Sequence, residues 1–240
     1  MLDKNNTNIV VALGDSITHA TVSASYLKIL SKNDKNQQFS FINAGINSRL
    51  AYNALQALDT VVACKPSGVI ILIGTNDVLA TRSEKVAQRY IDQWQLPQTP
   101  DFAFYQDNLA KIIEKLQAQT SAKIAIFSLP PLGEKTNSPM NNTVSQYNRF
   151  IKDIAIERDI TYLPLNERMW QTINEQGGAD KACPFTEKLM EKSIAKHYLF
   201  NDSWNEISAD HHLQLLTDCI HLNENAAVIV AELAQGFLAE

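Results

Sequence analysis

The sequence predicts an α/β protein, a three-layer α/β/α sandwich wound in both directions around about five parallel strands. Three observations carry this. Five short apolar runs, at 9–13, 39–43, 69–73, 124–127 and 160–163, are spread along the 240 residues. Most are continuously apolar rather than alternating, which marks strands buried on both faces of a parallel sheet. Between them, apolar residues recur at intervals of three and four, which marks amphipathic helices.

Taken in order, Ile9-Val10-Val11-Ala12-Leu13 leads into Gly14-Asp15-Ser16-Ile17-Thr18, so Ser16 arrives at the carboxyl end of the first strand, where such sheets place their chemistry. The second strand is followed by Asn43-Ala44-Gly45-Ile46-Asn47-Ser48, and Leu50, Ala54, Leu58, Val61 and Val62 then predict one helix. Gly74-Thr75-Asn76-Asp77 follows the third strand. Phe102, Tyr105, Leu109, Ile112, Ile113 and Leu116 predict the next helix, and Val144, Tyr147, Ile151 and Ile154 another, after the breaker Pro139 and the caps Asn141 and Asn142. Ala227, Val230, Leu233, Ala234, Phe237 and Leu238 form a last amphipathic helix, with Asn223 as its cap. Two segments break the rhythm: 78–101, with Trp94 and Pro97, and 166–216, with Trp170, Phe185, Tyr198, Phe200 and Trp204. Both exceed ordinary connections and are expected to hold extra structure over or beside a site. The aromatics of 166–216 suit the core of that inserted segment, with an apolar acyl groove as the alternative. Residues 1–240 read as one domain, with 166–216 as a lid or substrate-side insertion.

The formal charge of −5, with no basic run, argues against a nucleic-acid partner and for a small neutral or weakly charged ligand. Cys64, Cys183 and Cys219 are odd in number and lack metal spacing, which suits reduced thiols. The polar start of the chain carries no secretory pattern and no run is long enough to span a membrane, so the expectation is a cytoplasmic protein.

Ser16, Gly45 and Asn76 each follow one of three successive strands, and they converge if those strands are neighbours. A serine nucleophile needs a base, a carboxylate to orient the base, and donors for an oxyanion. Among the five histidines, His221 in Asp218-Cys219-Ile220-His221 has a carboxylate on the same short turn. Other readings stay open: Asn76 and Asp77 suit a helix cap, and Gly45 suits an ordinary loop. The Gly14-Asp15-Ser16 turn, with backbone N–H groups at a helix start, also suits a phosphate- or nucleotide-binding module. Asp15, Asn76, Asp77, His211 and His212 suit a metal-dependent phosphoesterase. His19 is expected in a first helical turn near the rim, and His197 at a packing or surface position.

Gly14-Asp15-Ser16, Gly45, Gly74-Thr75-Asn76-Asp77 and Asp218-x-x-His221 together resemble, in order, the four blocks of the SGNH or GDSL-type hydrolases. Weaker echoes are Tyr105 to Leu109, Leu129 to Glu134, Tyr147-Asn148 and Pro164 to Arg168. The resemblance implies a flavodoxin-like fold and hydrolysis of a small-molecule ester, with no cofactor and no metal. It implies Ser16 as nucleophile, His221 as base and Asp218 as its orienting partner. The implied oxyanion hole is the Ser16 N–H, the Gly45 N–H and the Asn76 side-chain amide. Two departures stand out. The last block often reads Asp-Gly-x-His-Pro, where this chain has Cys219 and Leu222, and the second often has Ser-Gly where this chain has Asn47-Ser48. The family spans acetylated sugars, aryl esters, thioesters and lysophospholipids, so the substrate stays open.

Overall fold

A computed structural model describes residues 8–177 and 186–239 of the chain. Five strands, β1 (Ile9–Gly14), β2 (Ser40–Gly45), β3 (Gly68–Leu72), β4 (Lys123–Phe127) and β5 (Thr161–Leu163), form one parallel sheet in the order β2-β1-β3-β4-β5. The chain turns back between β1 and β3, and such a switch point opens a crevice at the carboxyl ends of those strands.

The helices divide the core into two layers. Successive side chains of a strand point to opposite faces. Val10 and Ala12 of β1 therefore pack under α2 (Tyr26–Lys32), α9 (Leu165–Glu175), α11 (Trp204–Asp210) and α12 (Glu224–Leu238). Val11 and Leu13 pack under α3 (Ala51–Gln56), α4 (Leu58–Ala63), α7 (Phe102–Gln119) and α8 (Pro139–Glu157). This is the three-layer arrangement expected from the continuous apolar runs. The cap expected at Asn223 forms, its side chain accepting from Ala226 N, whereas α8 is capped by Ser138 with Pro139 in its first turn. Asn141 instead reaches back to the loop after β4, accepting from Leu132 N.

Two expectations are corrected and one is met. The helix expected across 50–62 is two helices, because Ala57 leaves helical geometry at φ −95° and ψ 4°. The Thr60 hydroxyl donates to the Ala57 carbonyl at 2.7 Å, a local bond that competes with the helical ladder. Segment 78–101 holds extra structure beside the site, as expected: α6 (Glu84–Trp94), begun by the Ser83 side chain and stopped by Gln95 in the left-handed region, contacts α5 (Thr75–Ala80) and lines the cavity that Ser16 also lines. In 166–216, the aromatics do not form one core. Trp204 is buried and stacks on His197 at 3.9 Å, and Trp170 packs against the core. Tyr198 and Phe200, in the last turn of α10 (Glu187–Phe200), project into solvent at 56% and 71% exposure. Phe185 and Cys183 lie outside the described residues. Cys64 and Cys219 carry free thiols, and among the described residues no helix is long and apolar enough to cross a membrane.

Candidate active site

The turn after β1 is built by close packing. A Cβ at Gly14 would lie 2.2 Å from Thr18 Oγ1 and 2.7 Å from the Leu72 carbonyl oxygen, so only glycine lets the chain turn there against β3. Asp15 caps the single-turn helix α1 (Ser16–His19) by accepting from the Ile17 N–H at 2.9 Å. This places Ser16 first in the helix, buried at the rim of the crevice.

The partner of Ser16 comes from a tight loop 205 residues later. Leu216 and Leu222 bridge, and Thr217 N donates to the His221 carbonyl at 2.8 Å. Inside the loop, Asp218 Oδ1 accepts from the Ile220 and His221 N–H groups at 3.1 and 2.8 Å. Its Oδ2 lies 2.7 Å from His221 Nδ1, and His221 Nε2 lies 2.9 Å from Ser16 Oγ. Cys219 sits at φ 71°, in the left-handed region, which explains why glycine suits this place and shows that a thiol side chain is tolerated. Leu222 N donates to Ser23 Oγ at 3.0 Å, a bond that proline would forfeit. The loop is anchored from outside by Glu134. One of its carboxylate oxygens accepts from Leu215 and Leu216 at 2.7 and 2.9 Å, and the other accepts from Gln214 at 2.7 Å.

Burial and charge oppose one another in this trio. Burial works against the imidazolium of His221, but contact with the Asp218 carboxylate, and the charge of Asp15 beyond it, raise the His221 pKa above its ordinary value. Burial likewise works against the Asp218 carboxylate, and the charge and hydrogen bond of His221 outweigh it and hold the Asp218 pKa low. For Asp15 the balance tips the other way: burial outweighs the Ile17 N–H bond and the charge of His221, and pushes the group up to about 6.

Asn76 is in the first turn of α5 and is held at both ends of its amide. Nδ2 donates to the Arg49 carbonyl at 3.0 Å, and Oδ1 accepts from the Tyr90 hydroxyl at 2.8 Å. The amide orientation is thereby fixed, one Nδ2 hydrogen is left beyond these two bonds, and Asn76 lines the cavity with Ser16 and His221.

Gly45 does not meet its expectation. Its N–H donates to Asn43 Oδ1 at 2.9 Å, and a Cβ there would lie 2.3 Å from His19 N. The glycine is required for packing β2 against α1, and its N–H is already used. The residue of this loop that lines the cavity in the left-handed region is Ser48, at φ 61°, its carbonyl oxygen held by Trp94 Nε1 at 2.8 Å. Ser48 stands where the family pattern often has glycine, and that departure was the signal for it. Tyr90 carried no comparable signal, and Glu134 stood in the Leu129 to Glu134 echo without a role, since their contacts cross 14 and about 80 residues.

The competing assignments disperse. Asp77 turns both oxygens onto the Ala51 N–H, at 3.3 and 3.1 Å, and so caps α3 instead of its own helix. His211 Nδ1 bonds the Thr217 carbonyl at 2.7 Å, while His212 is exposed. Among the described residues no group of three or more His, Cys, Asp or Glu is placed to hold a metal. For a phosphate, α1 is a single turn whose Ile17 N–H is taken by Asp15. His19 is exposed and bonds Thr21 Oγ1, away from the cavity.

Fold and site together define a flavodoxin-like α/β hydrolase with serine, imidazole and carboxylate meeting at the switch point of the sheet. The chain belongs to the GDSL-like lipase/acylhydrolase family, whose model matches residues 12–227, and with it to the carboxylic ester hydrolases. Among curated proteins none matches it in sequence. Among solved structures, it is similar to a catalytic mutant of the acetylxylan esterase Axe2 from Geobacillus stearothermophilus, with a TM-score of 0.67 at 16% identity over 97% of this chain and 94% of that one. A second catalytic mutant of the same esterase superposes with a TM-score of 0.68 at 15% identity over 95% and 93%. An acetyl xylan esterase named AlAXEase gives 0.64 at 18% identity over 96% and 99%. At these identities the likeness is one of fold.

Proposed function

We propose that the chain, as one catalytic domain over residues 1–240, hydrolyses carboxylic esters through an acyl-enzyme on Ser16. His221 Nε2 takes the Ser16 proton as Oγ attacks the ester carbonyl, and Asp218 holds the imidazole in the required tautomer and stabilises the imidazolium. The alcohol leaves with the proton returned by His221. Water, deprotonated by the same imidazole, then releases the acid and frees Ser16. The oxyanion of each tetrahedral intermediate is met by the Ser16 N–H, the Ser48 N–H and the free Nδ2 hydrogen of Asn76, with Ser48 in the place that Gly45 was expected to fill.

The observation that carries this reading is the unbroken contact from Asp218 through His221 to Ser16, at 2.7 and 2.9 Å. The test is covalent. A fluorophosphonate probe should label wild type once per chain and leave Ser16→Ala unlabelled, with the variant losing turnover of p-nitrophenyl esters. Label persisting on Ser16→Ala would overturn the nucleophile. Acetylated xylan, the substrate named for the structural neighbours, belongs in the same substrate panel.

A further inference from the structure

Among the described residues, eight other than glycine stand in the left-handed region. Six of them lie at the C-cap of a helix or one residue past it, where helices commonly end in that conformation. The two exceptions are Cys219, between Asp218 and His221, and Ser48. Ser48 is the third residue of a turn that Arg49 closes by donating its N–H to the Ile46 carbonyl at 3.2 Å. A positive φ at the third position belongs to a type II turn and favours glycine, so a serine at φ 61° is strained there. Strain of this kind persists where the surroundings hold it, and it gathers at sites where the residue is used.

The surroundings hold Ser48 firmly. Trp94 Nε1 donates to its carbonyl at 2.8 Å, and the next carbonyl along, that of Arg49, takes Asn76 Nδ2 at 3.0 Å. Ser48 is thereby fixed beside a proposed oxyanion donor, half-buried, in the wall of the cavity that Ser16, Asn76 and His221 also line. Its carbonyl is the one polar group in use: among the described residues, neither its N–H nor its hydroxyl has a hydrogen-bond partner. Two of the three staggered χ1 rotamers put Oγ gauche to the backbone nitrogen, so an acceptor met by the Ser48 N–H is also within reach of the hydroxyl.

Resting on the acyl-enzyme reading above, we infer that the Ser48 hydroxyl is a further catalytic group, donating a hydrogen bond to the oxyanion beside the N–H of the same residue. The hydroxyl keeps its proton throughout. Its bond strengthens as negative charge gathers on the carbonyl oxygen, so it acts on the transition state more than on the bound ester. Glycine at this position would supply the N–H alone.

The test uses the full chain and two variants that share the loss of the hydroxyl and differ in the backbone. Ser48→Ala keeps the Cβ and its strain, whereas Ser48→Gly removes both and should melt no lower than Ser48→Ala. With p-nitrophenyl acetate, both should lose about ten- to a hundredfold in kcat with KM little changed, the range of a hydrogen bond to a charged group. An alkyl trifluoromethyl ketone, which forms a hemiketal oxyanion on Ser16, should bind both variants more weakly by the factor that kcat/KM falls. The matching methyl ketone, bound as the trigonal carbonyl, should bind all three proteins alike. Wild-type kcat in Ser48→Gly overturns the inference, and so does a loss confined to Ser48→Ala, which strain would explain. A rise in KM with unchanged affinity for the trifluoromethyl ketone overturns it too, by placing the hydroxyl on the bound ester. In each of these cases fluorophosphonate labelling of Ser16 in wild type stands; loss of that labelling overturns the parent reading instead.

Discussion

Asn76 shows how a single side chain is made competent by its neighbours. An amide that rotates freely donates in no fixed direction, and here the Arg49 carbonyl and the Tyr90 hydroxyl fix both ends of it. Removing an oxyanion donor typically costs about two to three decades in kcat. Asn76→Ala should therefore lose that much with KM little changed, whereas Tyr90→Phe keeps the ring, frees the amide to turn, and should lose about tenfold. Equal losses for the two variants would show that Tyr90 does more than orient Asn76. His221 gives the second prediction at this scale. As the proposed base it must be neutral to accept a proton, and burial works against its imidazolium while Asp218 and Asp15 raise its pKa above the ordinary imidazole value. The kcat/KM profile should accordingly fall on the acid side with a midpoint above about 6.5. Asp218→Asn removes the charge and should move that midpoint down as well as slowing turnover; a midpoint that stays put would separate the observed titration from His221.

Among the elements, the loop from Leu213 to Leu222 has the most to hold, because it has almost no regular structure and carries both Asp218 and His221. Its order comes from donors facing inward to Glu134, whose carboxylate receives three backbone N–H groups and is 3% exposed. Burial raises the pKa of Glu134, although each of those three bonds lowers it. Glu134→Gln would turn an NH2 toward at least one backbone donor. We expect a loss of about 3 kcal/mol or more in unfolding stability, from buried donors left unpaired, together with at least a tenfold fall in kcat/KM. A variant as stable as wild type by urea denaturation would show that the loop is ordered by other bonds. Elements of this kind separate what was legible from what was not. Ser16, Asn76, Asp218 and His221 could be read because each sits within a few residues of a strand end or a helix start, where local chemistry signals position. Glu134 and Tyr90 act on residues far away in the chain, and although Leu129 to Glu134 echoes the family, nothing near either residue says which distant groups its side chain holds. Gly45 misled for the same reason: a loop glycine is legible as conformational need, but the sequence cannot say whether the need is a ligand or, as here, the backbone of α1.

Across the whole molecule, the parallel sheet and the two-sided core were legible because parallel strands buried on both faces need continuous apolar runs, and those runs are in the sequence, whereas the strand order was not. What the runs could not show is how many acids the fold would trap beneath the crevice. Burial pushes Asp77 up to about 7, with the Ala51 N–H lowering it only in part, and pushes Asp15 up to about 6. A carboxyl whose folded pKa is raised binds its proton more tightly in the native state, so its contribution to stability is complete below the unfolded value near 4 and is lost as pH rises through the folded value. Glu134 and His221, both raised, act in the same direction. Asp218, held low, has the opposite sign, but its contribution is lost only below about pH 4. The sum gives a protein whose melting temperature falls as pH rises from about 5 to about 8, through the range in which its base becomes active. Asp77→Asn isolates the most strongly raised of these two aspartates, because the amide oxygen can still accept from Ala51 N–H while the buried charge is gone. At pH 8 it should exceed wild type by about 4 kcal/mol, since the rise from 3.8 to about 7 is roughly three tenfold steps at about 1.4 kcal/mol each, which for a chain of this size is roughly 8–16 °C in Tm. At pH 5, where Asp77 is already protonated in the folded state, most of that advantage should disappear. Parallel Tm curves for the two proteins between pH 5 and 8 would show that Asp77 is ionised throughout and that the slope arises elsewhere.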